Sequence, residues 1–274
     1  MGICPISYAG GIRVSPGAFC LQGMDIGQDA DLGVDLVISN LGDTEDTFVV
    51  KPIKPSQAKK NWLKGYSEIP DASWLYFKED RVKIGPNSEG KLRMHLKIPE
   101  EERYLNQHWM VYVEVTTEAT DKMFKVGVKP NYMIETTSKE RIKERPHGVL
   151  GLAPTVLKAT EIKEGKGKKV KFRIYNNDEK VRTYTFTSYI PEASQAKQDI
   201  SITPGYEWVK DPSWVVPGKA KVKVKPGEEK TVALNILIPK GSEYQNLGWE
   251  GIVFVEPDEG RPEFLRVQIE KKGE

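Results

Sequence analysis

Residues 34–50, VDLVISNLGDTEDTFVV, and residues 170–186, VKFRIYNNDEKVRTYTF, decide the fold. In the first stretch Val34, Leu36 and Ile38 alternate with Asp35, Val37 and Ser39. In the second, Val170, Phe172 and Ile174 alternate with Lys171, Arg173 and Tyr175. A period of two over five or more residues marks a half-buried strand, because successive side chains of an extended chain point to opposite faces. Each run ends in a polar corner, Asn40-Leu41-Gly42-Asp43 or Asn176-Asn177-Asp178-Glu179, built from residue types that tolerate turn geometry. A second strand follows at 47–50 and 183–187, completing a hairpin-like unit.

The two stretches are copies at an offset of 136, with Asn40 on Asn176, Thr47 on Thr183 and Phe48 on Tyr184. Outward from them the match continues. Ser56-Gln57-Ala58-Lys59 falls on Ser194-Gln195-Ala196-Lys197, and Asp71-Ala72-Ser73-Trp74 on Asp211-Pro212-Ser213-Trp214. Ile98-Pro99, Tyr104, Asn106 and Trp109 fall on Ile238-Pro239, Tyr244, Asn246 and Trp249. A repeat of this length is a whole domain used twice. Further strands are expected at 82–84, 92–98, 110–115 and 124–128, and at 221–225, 232–238, 251–255 and 264–269. A short helix is expected around 56–64. No apolar period of 3.6 residues persists over a helical length. About seven short strands per copy define an all-β chain of two tandem, homologous, immunoglobulin-like antiparallel β-sandwiches. The expected boundaries are 10–135 and 148–271, joined by a charged, exposed linker at 136–147.

The cadence of "VDLVISNLGDTEDTF", "IGPNSEGKLRMHLKIPE" and "WMVYVEV", and of "YNNDEKVRTYTF", "VKPGEEKTVALNILIP" and "WEGIVFVE", resembles bacterial and archaeal immunoglobulin-like modules of CARDB-like and PapD-like type. The resemblance covers nearly all of both copies and implies stalks, linkers and binding domains of exported proteins. The tryptophan motifs stand outside that cadence.

Composition removes several function classes. Hydrophobic residues at 38% and charged residues at 29% suit a soluble fold, and no apolar run approaches the ~20 residues of a membrane-spanning helix. A net charge of +2 gives no basis for nucleic-acid binding. Residues 10–135 carry 16 basic against 19 acidic residues, and residues 148–274 carry 21 against 18. Drift after duplication accounts for that split; opposite signs also favour head-to-tail contact, with residues 12–19 as a strand open to donation. Cys4 and Cys20 sit outside the repeated positions and form no CxxC pair. Ser7-Tyr8-Ala9 has small residues where a signal peptidase cleaves, so residues 1–9 read as a signal-peptide remnant and the chain as exported.

No nucleophile elbow, HExxH helix, phosphate loop or dinucleotide fingerprint is present. No catalytic residue, metal or cofactor is therefore expected. Asp29-Ala30-Asp31 reads as a solvated turn, and Lys-Val-Lys-Val-Lys at 221–225 as an edge strand whose lysines, on one face, block sheet-to-sheet aggregation. The shared motifs supply the candidate binding residues: Trp74 and Trp214 of Asp-x-Ser-Trp, and Tyr104, Trp109, Tyr244 and Trp249 of Tyr-x-Asn-x-x-Trp. An indole couples a broad apolar face to an N–H donor, so it serves either as a lid over the core or as a platform for a sugar or peptide. The leading expectation is a non-enzymatic structural or interaction protein of the cell surface or envelope, within a filament or surface assembly, with a protein partner or self-association. The alternatives are a carbohydrate-binding module and a periplasmic pilus-type chaperone.

Overall fold

The computed structural model describes residues 7–9, 11–60, 62–118, 127–191, 200–242 and 248–271. Two compact units form. The first comprises Met1–Trp62, Ser67–Glu100 and Trp109–Glu135; the second comprises Leu63–Tyr66, Glu101–His108 and Thr136–Glu274.

The first copy contains strands β1 (Ser7–Ala9), β2 (Ile12–Ser15), β3 (Ala18–Met24), β4 (Asp29–Asn40), β5 (Asp46–Ile53), β6 (Ser67–Glu68), β7 (Leu75–Phe77), β8 (Arg81–Ile84), β9 (Ser88–Lys97), β10 (His108–Thr117), β11 (Gly127–Val128) and β12 (Asn131–Thr136). One sheet runs β1-β2-β4-β9-β7, and the other runs β3-β12-β10-β5-β8 with β6 and β11 also paired to β10. The second copy contains β13 (Leu150–Ala153), β14 (Val156–Ile162), β15 (Lys168–Asn176), β16 (Arg182–Tyr189), β17 (Tyr206–Trp208), β18 (Val215–Pro217), β19 (Lys221–Val224), β20 (Glu229–Ile236), β21 (Gly248–Pro257) and β22 (Glu263–Lys271). Its sheets are β13-β15-β20-β18 and β14-β22-β21-β16-β19, with β17 on β21. Each copy is thus a two-sheet sandwich of the expected all-β class. Most pairs are antiparallel; β14 with β22, β6 with β10 and β17 with β21 are parallel.

Alternation does what the sequence implies. Leu36 and Ile38 of β4 are buried, as are Phe48 and Val113 of the other sheet, and Phe172 and Ile174 of β15 share one core cluster with Tyr184 and Val253. Burying side chains of this size contributes about 1.5–3 kcal/mol each. The Asn corners are equivalent. Asn40 Nδ2 donates to the carbonyls of Thr44 (2.8 Å) and Ile84 (3.1 Å), and its Oδ1 accepts from Gly42 N–H. Asn176 Nδ2 donates to Lys180 (2.8 Å) and Val224 (3.1 Å), and its Oδ1 accepts from Asp178 N–H.

The structure corrects the sequence reading in four places. The opening strand of each copy divides between the two sheets at Pro16 and Pro154, so residues 12–19 are hydrogen-bonded within their own copy and give no strand for donation. The last full strand of the first copy is β12; of the expected 124–128 strand, residues 127–128 form β11 and the others lie outside the described residues. Asp29-Ala30-Asp31 begins β4 and is not a turn. The helix expected at 56–64 is one turn, Pro55–Ala58.

A fifth difference lies in register. In β4, Asp31 faces His95 and Asp35 faces Arg93, so three residues of β4 oppose Met94 alone. In β15, Lys169 faces Asn235 and Lys171 faces Ala233, with Val170 alone opposite Leu234. The first copy therefore carries a two-residue bulge, turned by Gly33 at φ +67°, whose N–H donates to Asp31 Oδ1 at 2.9 Å. Through the bulge Asp31 is equivalent to Lys169, and Asp35 to Lys171.

Candidate functional site

The two tryptophan motifs come together. Asp71 Oδ1 accepts the Ser73 N–H at 2.8 Å and Asp211 Oδ1 accepts the Ser213 N–H at 2.7 Å, each opening a 3₁₀ turn that delivers the tryptophan. Hydrogen bonds from the serine hold both carboxyls below the usual aspartate range, chiefly the Ser73 N–H at Asp71 and chiefly the Ser213 hydroxyl at Asp211. Trp74 meets Trp109 with ring centroids 5.5 Å apart, and Trp214 meets Trp249 at 5.2 Å and 89°. Trp109 and Trp249 are fully buried, Trp214 is 6% exposed and Trp74 is half-buried. A buried indole has no open face to offer a sugar. Tyr104 is also buried, beneath the Arg103 guanidinium, which donates to its hydroxyl at 3.1 Å. Asn106 turns the loop at φ +57°. Tyr244 lies outside the described residues.

Carboxylates are ordinarily surface residues, but Glu250 of the second unit is buried and Glu263 is largely so. Glu250 and Arg266 are 0% and 1% exposed and pair at 2.7 Å; Gln268 Nε2 and the Thr203 N–H also donate to Glu250. The equivalent strand positions in the first copy are Met110, Asn131 and Met133, fixed by the matching bonds Asn131 N–H to Gly17 O and Arg266 N–H to Thr155 O. Glu263 lies 3.3 Å from His108 Nδ1, and the His108 ring stacks on Phe264 at 3.8 Å. Burial pushes the Glu263 carboxyl up, and His108 opposes part of that rise. Among the described residues no three His, Cys, Asp or Glu side chains gather as a metal site, and no helix is long and apolar enough to cross a membrane.

The outward face of the β13-β15-β20-β18 sheet differs from the rest of the surface. Lys169, Lys171 and Arg173 project from β15, and the residues facing them on β20 are Asn235, Ala233 and Thr231. No carboxylate stands opposite any of the three. They line a cavity of about 560 Å³ together with Lys158 and Arg141, with Glu140 as the one acidic lining residue. A second cavity of about 480 Å³ shares Lys169 and Thr231 and adds Lys219, Lys221, Lys223 and Lys230. Arg173 is held by the Glu140 carbonyl at 3.0 Å and by Glu229 at 3.6 Å. Among the described residues, Lys158, Lys169, Lys171, Lys219, Lys221 and Lys223 form no ion pair.

The equivalent positions of the first copy are neutralised. Arg93 sits between Asp31 (3.7 Å) and Asp35 (3.1 Å). Arg81, equivalent to Lys221, pairs with Glu118 at 2.9 Å, and Lys83, equivalent to Lys223, pairs with Glu45 at 2.7 Å. In the second copy Val181 replaces Glu45, and Asp258, which replaces Glu118, is engaged by Arg182. The sequence reading found the edge lysines but missed this face. Its signal, lysines at alternate positions 169 and 171, was present in the sequence, but the meaning depends on the cross-strand register.

No protein-family model and no curated protein matches the chain. Among solved structures the chain is similar to a protein of unknown function from Porphyromonas gingivalis W83, at 12% identity and TM-score 0.36 over 95% of this chain and 100% of that one. It is similar to the periplasmic chaperone SfaE at 13% identity and TM-score 0.32, covering 94% of this chain and 100% of that one. The E. coli chaperone DraB matches at 11% identity and TM-score 0.31, over 95% and 96%. At these scores none of them bears on what this chain binds.

Proposed function

We propose that this chain is a non-enzymatic, exported interaction protein of the cell surface or envelope, and that its second sandwich holds a protein partner on the basic face of β15 and β20. The observation that carries the reading is charge left without an internal partner. The first copy neutralises Arg81, Lys83 and Arg93 within itself, whereas the second leaves Lys169, Lys171, Lys221 and Lys223 open. Unneutralised charge of one sign around a concavity focuses potential and draws a ligand of the opposite sign. Burial of Trp109, Trp214 and Trp249 favours a protein-binding reading over a carbohydrate-binding one. A pilus-type chaperone is a special case, in which the bound protein is the subunit of a surface fibre.

The test is fractionation of native cells, recovering the protein with whatever accompanies it, beside a Lys169→Glu/Lys171→Glu double variant. Recovery from the envelope or medium, with a companion that the folded variant loses, is the expected result. A cytoplasmic location, or the same companions on both proteins, would overturn the reading.

A further inference from the structure

We infer that the basic face binds an extended acidic segment of polypeptide, laid along β15 with alternate acidic side chains facing Lys169, Lys171 and Arg173. This rests on the proposed interaction role and names the chemistry of the partner. Strand geometry sets the spacing. Residues two apart on a strand are separated by about 6.7 Å and point the same way. An extended peptide has the same repeat, so carboxylates at every second position match the three cations in register.

Three further observations select this occupant. The charges extend over two adjoining cavities of about 560 and 480 Å³, which suits a segment of chain more than one small oxyanion. The row also continues into apolar surface: Val216 faces Asn235 across the sheet and is 43% exposed, and Leu237 is 47% exposed. A peptide with apolar residues flanking its acidic stretch gains contacts there that a polyanion of sugar phosphates lacks. Finally, the aromatic residue among the cavity linings, Phe172, is 1% exposed and buried in the core, so no open ring is offered to stack a nucleic-acid base. A second copy of this chain is a poorer fit, because Asp31 and Asp35 already share Arg93.

The test is a titration of the full chain with fluorescently labelled ten-residue peptides. One carries Asp at alternate positions between Ser and Val, one has the same composition with the Asp residues in a block, and one has Asp replaced by Asn. Oligothymidylate of ten nucleotides, inorganic phosphate and a heparin fragment are measured beside them. The expected result is binding of the alternating peptide that is at least tenfold tighter than that of the Asn peptide. It should weaken as salt rises past physiological strength, where the screening length is about 8 Å, and at least tenfold in Lys169→Glu/Lys171→Glu. An Asp31→Ala variant in the first copy should bind as the wild type does. Equal binding of the blocked peptide overturns the register. Absence of peptide binding, or tighter binding of oligothymidylate or heparin, overturns the polypeptide assignment. Sedimentation showing salt-sensitive self-association, lost in the double variant, assigns the face to a second copy and overturns it as well. If the peptide fails while the double variant still loses its native companion, the partner chemistry is wrong and the interaction role stands. Loss of neither removes both.

Discussion

The two copies share a fold and differ in where they keep their charges. In the first, Arg81, Lys83 and Arg93 are matched by surface acids, as with Arg93 between Asp31 and Asp35, and the interior position at Met110 is apolar. In the second, Lys169, Lys171, Lys221 and Lys223 stand unmatched, while an ion pair of Glu250 and Arg266 lies fully buried. The shared features are bonded to the backbone, as in the Asn corners and the Asp-x-Ser-Trp turns, or packed in the interior, as in the paired indoles. Charge that is not tied to the backbone was free to diverge, so the differences between the copies mark function more clearly than the likenesses do.

The first way to break this comparison is through the indoles. Trp109→Ala and Trp249→Ala should each destabilise their own copy by about 3–5 kcal/mol, as loss of a buried aromatic does. Urea unfolding followed separately in each copy reads this, and a loss under about 1 kcal/mol in either would end the structural equivalence of the motif.

The buried pair sharpens it. Arg266→Met leaves the Glu250 carboxylate without its cation and should cost about 3–5 kcal/mol. Replacing the set by the first copy's residues, as Glu250→Met, Arg266→Asn and Gln268→Met together, should recover most of that loss in the same unfolding experiment. If the triple variant is as unstable as the single one, the two cores are not interchangeable.

The Asn corners should give a smaller and equal effect. Asn40→Ala and Asn176→Ala each strand buried carbonyls, at a cost of about 1–3 kcal/mol. Unequal losses in thermal unfolding would show that the corners play different parts.

The smallest effect distinguishes the copies by pH. Glu263 has a raised native pKa, while the equivalent residue of the first copy is Val128. The unfolded chain gives up this proton first as pH rises. Stability of the second copy should therefore decline from the ordinary carboxylate range upward, until pH passes the native value, and no further. Glu263→Gln should remove that slope. Urea midpoints from pH 4 to 8 measure it, and an unchanged slope would assign the dependence to another group.

Much of the fold was legible in the sequence because it follows from period and turn chemistry. Alternation at 34–39 and 170–175 gave one strand in each copy, the runs at 47–50 and 183–187 gave the next, and Asn40 and Asn176 gave the corners between them. The pairing of the strand at 12–19, and the opening strand of the second copy altogether, were hidden because each is short and changes sheet at a proline. The strand at 131–136 was hidden by its own polar ends, which read as the start of a linker. Nothing in the sequence marks Glu250 and Arg266 as buried, since a charged residue in a strand is usually at the surface and only the cross-strand neighbour shows otherwise. The basic face was missed for a related reason. Lys169 gains its meaning from Asn235, and its comparison with Asp31 passes through a bulge that no linear alignment of the two copies contains.

That bulge has a bearing on how such a duplicated module can change. Two residues added to a strand restore the order in which its side chains face core and solvent, whereas one would exchange them throughout. The pair inserted near Gly33 therefore leaves the interior undisturbed while moving every upstream residue to a new address on the outside. Paired insertions are a form of editing to which the core is indifferent. They let one copy acquire a different surface vocabulary while its packing stays the same, and they misplace by two residues any correspondence carried upstream of the bulge at the offset of 136.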